Sequence, residues 1–389
     1  MSQTELEDVG IPVIDISNPS ADVAQQVLHA ASTHGFLFIK NDGVTIPPQD
    51  IDDMFDLSQQ FFQSPKEQKS EYAIHSDKAG GKNRGWVTMQ GEALDPDGQK
   101  QGDPKEAFNI APPPPNGSLQ PLPTPLSSQT PLISRFQTSC HTLCTRILTL
   151  LGTALAIPDP TYFTTRHDQS LGTSGSIFRL LYYPKTHSPS PSSTSPQNET
   201  QIRAGAHSDY GSLTLLFRLP GQPGLELLSP APSTSHSPSS SSSSSSSPTT
   251  SSRSWTPVPV NSSPSTLAHP PILVNIGDIL SFWTCGLLKS TLHRVTFSGG
   301  SERYSIAYFC HPLDDARLEA VPGRRVAAYG ETGLGREEMG RQRGNVGLGI
   351  NGEGEGDRKR DGEGDGEAKV LTAGEHLGRR LKVTYGLDD

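Results

Sequence analysis

AHSDYGSLTLLF at 206–217 and STLHRVTF at 290–297 decide how the chain is read. The first places His207 and Asp209 two residues apart; the second carries His293 inside a β-branched, largely apolar run. On an extended strand, residues i and i+2 project from the same face, so His207 and Asp209 point together if 203–209 is extended. A histidine from another strand completes a set of three. Two neutral imidazoles and one carboxylate leave a divalent metal with positive charge and about three open positions, which suits a non-haem Fe(II). An HxD triplet alone is common on polar strand faces, and a lone histidine on an apolar strand is more often a core residue. The surrounding sequence therefore carries the weight.

Outward from these stretches the texture is β-rich. IFRLLYY (177–183), SLTLLF (212–217), LELL (225–228), WTPVPV (255–260), ILVNI (272–276) and RYSIAYFC (303–310) are short runs broken by Gly and Pro. They predict a sandwich or barrel rather than a parallel α/β sheet. Toward the N-terminus, 11–16 and FLFIK (36–40) read as strands, with helical periodicity between them and again over 50–63. Residues 111–131 hold eight prolines and form an extended connector. An amphipathic helix is expected over about 132–156, ending before Pro158.

Only 32% of the 389 residues are hydrophobic, which is thin for a wholly packed chain. Three stretches account for this: 187–199, 229–254 with nine consecutive serines from Ser239 to Ser247, and a Gly-, Glu- and Arg-rich segment at 322–368. None has enough apolar residues to offset the entropy of ordering, so each is expected to be surface disorder. The chain divides accordingly into an N-terminal α/β segment (1–131) that packs on the core, a catalytic β-domain (132–321), the insert at 322–368, and a C-terminal helix (369–389). The net charge of −9 argues against nucleic acid as a partner. No apolar run approaches the ~20 residues of a membrane span, and the acidic first residues are unlike a secretory signal. Cys140, Cys144, Cys285 and Cys310 sit in apolar or helical contexts and are expected to be thiols. A cytoplasmic, monomeric protein is the resulting expectation.

RLLYYP (179–184), AHSDYGSLTLLF, GLELL (224–228), ILVNIGDILSFWTCGLLKSTLHRV (272–295) and RYSIAYFCHP (303–312) together resemble the 2-oxoglutarate- and Fe(II)-dependent dioxygenases of the isopenicillin N synthase-like group. IPVIDIS (11–17), HGFLFIKNDGV (34–44), FFQSPKEQK (61–69) and DPKEAFNI (103–110) are similar to that family's N-terminal segment, and TAGEHLGRRLKVTY (372–385) to its C-terminal helix. The resemblance implies a mainly β protein with flanking helices around a double-stranded β-helix (jelly-roll) core. It implies His207, Asp209 and His293 as ligands of Fe(2+), with 2-oxoglutarate as cosubstrate, O2 as oxidant and ascorbate as a reductant. Asp209 and His293 lie 84 residues apart, longer than is usual in the family; the Ser-rich insert absorbs the excess at little cost in loop-closure entropy.

Arg303 and Ser305 share a strand face, and this Arg-x-Ser pattern ten residues after His293 matches the family's 2-oxoglutarate anchor. A carboxylate bound inside a barrel needs a planar, two-pronged cation, which arginine supplies. By the same resemblance Tyr183 donates a hydroxyl to the cosubstrate while Tyr182 faces away. The sequence departs from the family pattern at Leu181 and Cys285, where asparagine is usual. On the substrate side, Phe309 shares the face of Arg303, and the resemblance places Trp86 and Phe108 near the pocket mouth. Asn275, Asp278 and Arg294 read as structural, with NIGD (275–278) a tight turn.

The expected reaction is oxidation of a small organic molecule, by hydroxylation or desaturation, with release of succinate and CO2. Rival readings are an oxidase of the same fold that uses no 2-oxoglutarate, a non-catalytic ligand-binding relative and a zinc hydrolase; the last lacks a dedicated general base beside the triad. Deleting Ser235 to Ser252 and closing the gap with a short Gly-Ser linker should leave turnover and melting temperature nearly unchanged. A large drop in melting temperature would show that the segment packs.

Overall fold

Strand pleat sets the architecture, because three central strands (Ile177–Tyr183, Leu213–Arg218 and Arg303–Cys310) put one face into an apolar helix layer and the other into a cavity. The computed structural model describes residues 10–95, 98–115, 117–186, 200–230, 253–260, 267–345 and 370–385. Its strands are β1 (Val13–Ile14), β2 (Phe36–Ile39), β3 (Gly85–Val87), β4 (Glu106–Ile110), β5 (Ile177–Tyr183), β6 (Thr200–His207), β7 (Leu213–Arg218), β8 (Leu225–Pro230), β9 (Arg253–Pro257), β10 (Ile272–Ile276), β11 (His293–Ser298) and β12 (Arg303–Cys310). An eight-stranded sheet has the order β1-β2-β10-β7-β12-β5-β4-β3, and a four-stranded sheet the order β6-β11-β8-β9. Among the described strands only the short β1–β2 pair is parallel. This is the jelly-roll expected from sequence.

The helices are α1 (Ala21–Thr33), α2 (Pro48–Gln63), α3 (Lys66–Ser70), α4 (Thr130–Ala154), α5 (Tyr162–Arg166), α6 (Asp278–Trp283), α7 (Arg324–Gly330), α8 (Gly333–Asn345) and α9 (Ala373–Tyr385). Ser20 caps α1 by accepting the Val23 N–H at 3.2 Å, and the helix buries Ala24, Val27, Leu28 and Ala31 on one stripe. Proline at the first turn starts α2 and α4, where its missing N–H costs nothing. The apolar stripes of α1, α2 and α4 cover the outer face of the large sheet, where Phe178, Leu180, Leu215, Phe217 and Ile306 are buried.

The structure redraws three boundaries expected from sequence. The N-terminal segment does not merely pack on the core: β1 to β4 are four of the eight strands in the large sheet. The insert expected at 229–254 is strand at both ends, with Ser229 opposite Ser254 and Pro230 opposite Arg253, so the insertion falls at the tip of the β8–β9 hairpin; 231–252 and 187–199 lie outside the described residues. The segment 322–368 carries α7 and α8, anchored by the fully buried Val326 and by Glu338 lying over Gly286, whose missing side chain leaves the room. The rest of it, from 346, lies outside the described residues. All four cysteines are thiols. Cys285 sits at φ +54°, a left-handed conformation that asparagine tolerates well, which gives the family's usual residue at that point a physical reason.

Trp86 and Phe108 fall on the helix side of the large sheet. Phe108 is fully buried with its ring edge-on to Phe61 at 4.8 Å, and Trp86 donates its indole N–H to Glu106 at 2.8 Å. Both are core residues, not pocket residues, because β4 turns Ala107 and Asn109 inward and Phe108 outward. Phe108→Ala should therefore cost roughly 3–5 kcal/mol of stability in chemical denaturation while leaving 2-oxoglutarate affinity unaltered at temperatures where the variant is folded. A variant of full stability with a changed affinity would return Phe108 to the pocket.

Candidate active site

Asp209 stands at the start of the loop that carries the chain from β6 in the small sheet to β7 in the large one. Its Oδ2 accepts hydrogen bonds from Thr214 Oγ1 on β7 and Asn275 Nδ2 on β10, both at 2.6 Å. Its carbonyl accepts the Asp278 N–H at 2.8 Å. With Oδ2 occupied, Oδ1 faces the small sheet, 3.8 Å from His207 Nε2 and 3.7 Å from His293 Nε2. The last residue of β6 and the first of β11 pair directly, which brings the two imidazoles side by side.

Each ring is turned by a backbone carbonyl. His207 Nδ1 lies 2.8 Å from Gly205 O and His293 Nδ1 3.1 Å from Thr291 O. Nδ1 is thus the donor in both rings, leaving each Nε2 lone pair toward Asp209. Potential ligand atoms of His207, Asp209 and His293 all lie within 4.8 Å of one another. Burial, with His293 alongside, pulls the His207 imidazole down to about 4, so it is neutral near pH 7. Burial would push the Asp209 carboxyl up, but His293, His207 and the hydrogen bonds from Thr214 and Asn275 outweigh it and hold it below its ordinary value.

NIGD is more than a turn. Asn275 orients Asp209 directly, and Asp278 accepts Ser290 Oγ at 2.7 Å and Ser208 Oγ at 3.2 Å. A Cβ on Gly277 would fall 2.3 Å from Gly211 O and 3.1 Å from Asp209 O, so only glycine lets β10 approach the Asp209 loop this closely. The signal available in the sequence was a polar Asn inside the apolar run ILVNI, since a buried amide needs a partner. Arg294, by contrast, pairs with Glu226 at 2.7 Å and lies over Trp255, away from the triad.

The far end of the same cavity is cationic. Arg303 is 2% exposed, donates from Nη1 to Ser305 Oγ at 3.1 Å, and lies 5.3 Å over the ring of Tyr183, its partner in strand register. Its Nε has no hydrogen-bond partner among the described residues. Burial lowers its pKa, Tyr183 opposing. A second arginine was not singled out from sequence: Arg218, opposite Ser305 across β7–β12, lies over Phe38 and is pulled down to about 9 by burial and by Arg303. The cavity encloses about 1030 Å³, part of it open to solvent, and Phe309 lines it together with Arg303, Ser305 and the triad. Leu377, Leu381, Thr384 and Tyr385 of α9 also line it, and Thr384 Oγ1 and the Tyr210 hydroxyl are hydrogen-bonded at 2.5 Å. From sequence α9 has only its helical pattern, which says nothing of what it covers. Among the described residues no helix is long and apolar enough to cross a membrane.

Residues 11–129 match the N-terminal model of the non-haem dioxygenases of morphine synthesis, and 251–312 match the 2OG-Fe(II) oxygenase superfamily. The chain is 34% identical over 315 residues to a UPF0676 protein of Schizosaccharomyces pombe, covering 80% of this chain and 84% of that one. It is 27% identical over 329 residues to the 2-oxoglutarate-dependent dioxygenase caaD of Aspergillus niger, covering 80% and 86%. A full-length Neurospora crassa protein crystallised with alpha-ketoglutarate superposes with a TM-score of 0.65 at 26% identity, covering 95% of each chain; the same protein has been solved with thymine. The chain belongs to the 2OG-Fe(II) oxygenase superfamily. It is a 2-oxoglutarate- and Fe(II)-dependent dioxygenase that oxidises a small organic molecule with release of succinate and CO2.

Asn275→Ala leaves Asp209 Oδ2 with Thr214 alone and frees the carboxylate to rotate. Fe(II) affinity, measured by anaerobic titration, should fall about 10–100-fold, the usual penalty for losing a group that orients a ligand. An unchanged affinity would show that Thr214 and the loop suffice.

Proposed function

We propose that His207 Nε2, Asp209 Oδ1 and His293 Nε2 hold the iron of this dioxygenase, and that Arg303, Ser305 and Tyr183 hold the far carboxylate of 2-oxoglutarate. The observation that carries this is the convergence of two Nε2 atoms on Asp209 Oδ1, the oxygen left over when Thr214 and Asn275 hold Oδ2. The donor set suits Fe(II): the His207 imidazole is already neutral and the carboxylate already charged, so metal binding displaces few protons. The orphaned, buried Nε of Arg303 suits a carboxylate, since a desolvated guanidinium without a counter-ion is costly.

Iron and its cosubstrate, when bound, supply the oxidising chemistry, turning 2-oxoglutarate and O2 into succinate, CO2 and an oxidised substrate. The protein supplies placement. The Arg303–Ser305 pair fixes one end of the cosubstrate, and Phe309 offers an apolar wall beside it. The helix α9 closes the side of the cavity away from Arg303 against water. The thymine complex of the Neurospora protein supports a compact polar heterocycle as one class of substrate. A cytoplasmic, monomeric protein belongs to the same proposal, supported by four cysteines that remain thiols.

Two outcomes test the assignment. His207→Ala should abolish succinate formation while leaving the protein folded and soluble, because strand packing and not iron holds the core; a His207→Ala protein that turns over normally would remove the triad. Arg303→Leu removes one partner of a desolvated charge pair, worth roughly 2–5 kcal/mol, so the KM for 2-oxoglutarate should rise about 30-fold to several-thousand-fold. Arg303→Lys should recover only part of the loss, because an ammonium lacks the planar fork. An unchanged KM in the leucine variant would detach Arg303 from the cosubstrate.

A further inference from the structure

One wall of the cavity is polar in a way that the iron and 2-oxoglutarate do not use. Asn109 on β4 and Arg179 on β5 are direct register partners, and both line the cavity that holds the triad. Asn109 donates from Nδ2 to Asn83 Oδ1 at 2.9 Å. That same oxygen also takes the Tyr385 hydroxyl at 3.4 Å. Asn109 Oδ1 is left as a buried acceptor without a partner among the described residues. Arg179 gives Nη2 to both oxygens of Glu92, at 2.7 and 2.6 Å, and its Nε is left as a buried donor without a partner among the described residues.

Charge on this wall is already balanced. Lys105 Nζ lies 2.9 Å from Glu92 and 2.5 Å from Asp103, so two cations meet two carboxylates in one buried network. A charged substrate group would upset that balance; a neutral one would not. Burial, then His376, pulls the nearby His311 to about 3, which leaves that lining residue neutral as well. What the wall lacks is one hydrogen-bond donor and one acceptor, side by side on adjacent strands. Tyr210, Tyr385 and Phe309 supply aromatic surface around them.

We propose that this wall recognises a neutral, planar cyclic amide or imide, with Arg179 Nε donating to the ring carbonyl and Asn109 Oδ1 accepting the ring N–H. The adjacent –NH–C(=O)– edge of a pyrimidine-type heterocycle is the complement of the two orphan atoms, and satisfying both removes the penalty of burying them unpaired. This rests on the cavity being the substrate site of the dioxygenase. It adds to that reading the class of molecule and the two residues that select it.

Isothermal titration calorimetry of the full chain, loaded with Mn(II) in place of iron, separates the two. 2-Oxoglutarate is titrated first, then uracil, 1,3-dimethyluracil and benzoate. Uracil should bind, while 1,3-dimethyluracil, which has the carbonyls but no ring N–H, should bind about tenfold or more weakly; benzoate should not bind. Asn109→Leu should weaken uracil by about tenfold or more and leave 2-oxoglutarate affinity as in the wild type. If 2-oxoglutarate binds but uracil does not, or binds no better than its dimethyl derivative, the substrate inference is wrong and the cosubstrate site stands. If 2-oxoglutarate itself fails to bind the loaded wild-type protein, the cosubstrate reading falls and the inference with it.

Discussion

Everything at the centre of this protein depends on how one carboxylate is held. Asp209 lies in the crossover between the two sheets, and its two oxygens do different jobs. Oδ2 is tied to the large sheet by Thr214 and Asn275, and Oδ1 is presented to two imidazoles of the small sheet. Were the side chain free to rotate, the three donors would not hold one geometry, and the entropy of ordering them would fall on metal binding. The hydrogen bonds prepay that cost during folding, where Gly277 and the Asp278 N–H brace the loop from below.

Strand alternation distributes the remaining functions. On β12, Arg303, Ser305, Ala307 and Phe309 face the cavity, while Tyr304, Ile306 and Tyr308 are built into the helix-covered core. On β5, Tyr183, Leu181 and Arg179 face inward with Tyr182 and Leu180 outward. One cavity is thereby lined from end to end by groups of graded chemistry: a cationic end at Arg303, with Arg218 opposite Ser305 in the neighbouring strand, the triad, and a charge-balanced polar wall at Arg179 and Asn109. Because the cationic end lacks carboxylate partners among the described residues while Arg179 and Lys105 have them, an anion is drawn to one end only.

Much of this was legible in the sequence, for reasons that differ from residue to residue. His207, Asp209 and His293 could be found because ligand type, spacing and flanking apolar strands all agree. Parity put Arg303, Ser305 and Phe309 on one strand face, since a strand with a clear apolar alternation fixes which side chains share a face; Tyr183, chosen by resemblance, lines the same cavity. Trp86 and Phe108 were expected near the pocket mouth from resemblance alone; β3 and β4 are short strands of the large sheet, and their pairing turns both rings to its helix side. Asn275, Arg218 and the Asn109–Arg179 pair escaped for another reason: their partners are distant in sequence and meet only through sheet register. The helices at 324–345 were missed because their composition is almost all polar and Gly-rich, and one buried valine with a contact over Gly286 is a tertiary signal.

If Asp209 offers one oxygen and each histidine its Nε2 to a single iron, 2-oxoglutarate bound beside it would reach Arg303 with its far carboxylate. Crystals grown without oxygen in the presence of Fe(II) and 2-oxoglutarate, with anomalous diffraction collected at the iron edge, test it most directly. The account predicts one anomalous peak bonded to His207 Nε2, Asp209 Oδ1 and His293 Nε2, and a cosubstrate whose far carboxylate meets Arg303 and Ser305. A peak bound through Nδ1 of either histidine, one placed away from Asp209, or a cosubstrate carboxylate turned from Arg303 would contradict it.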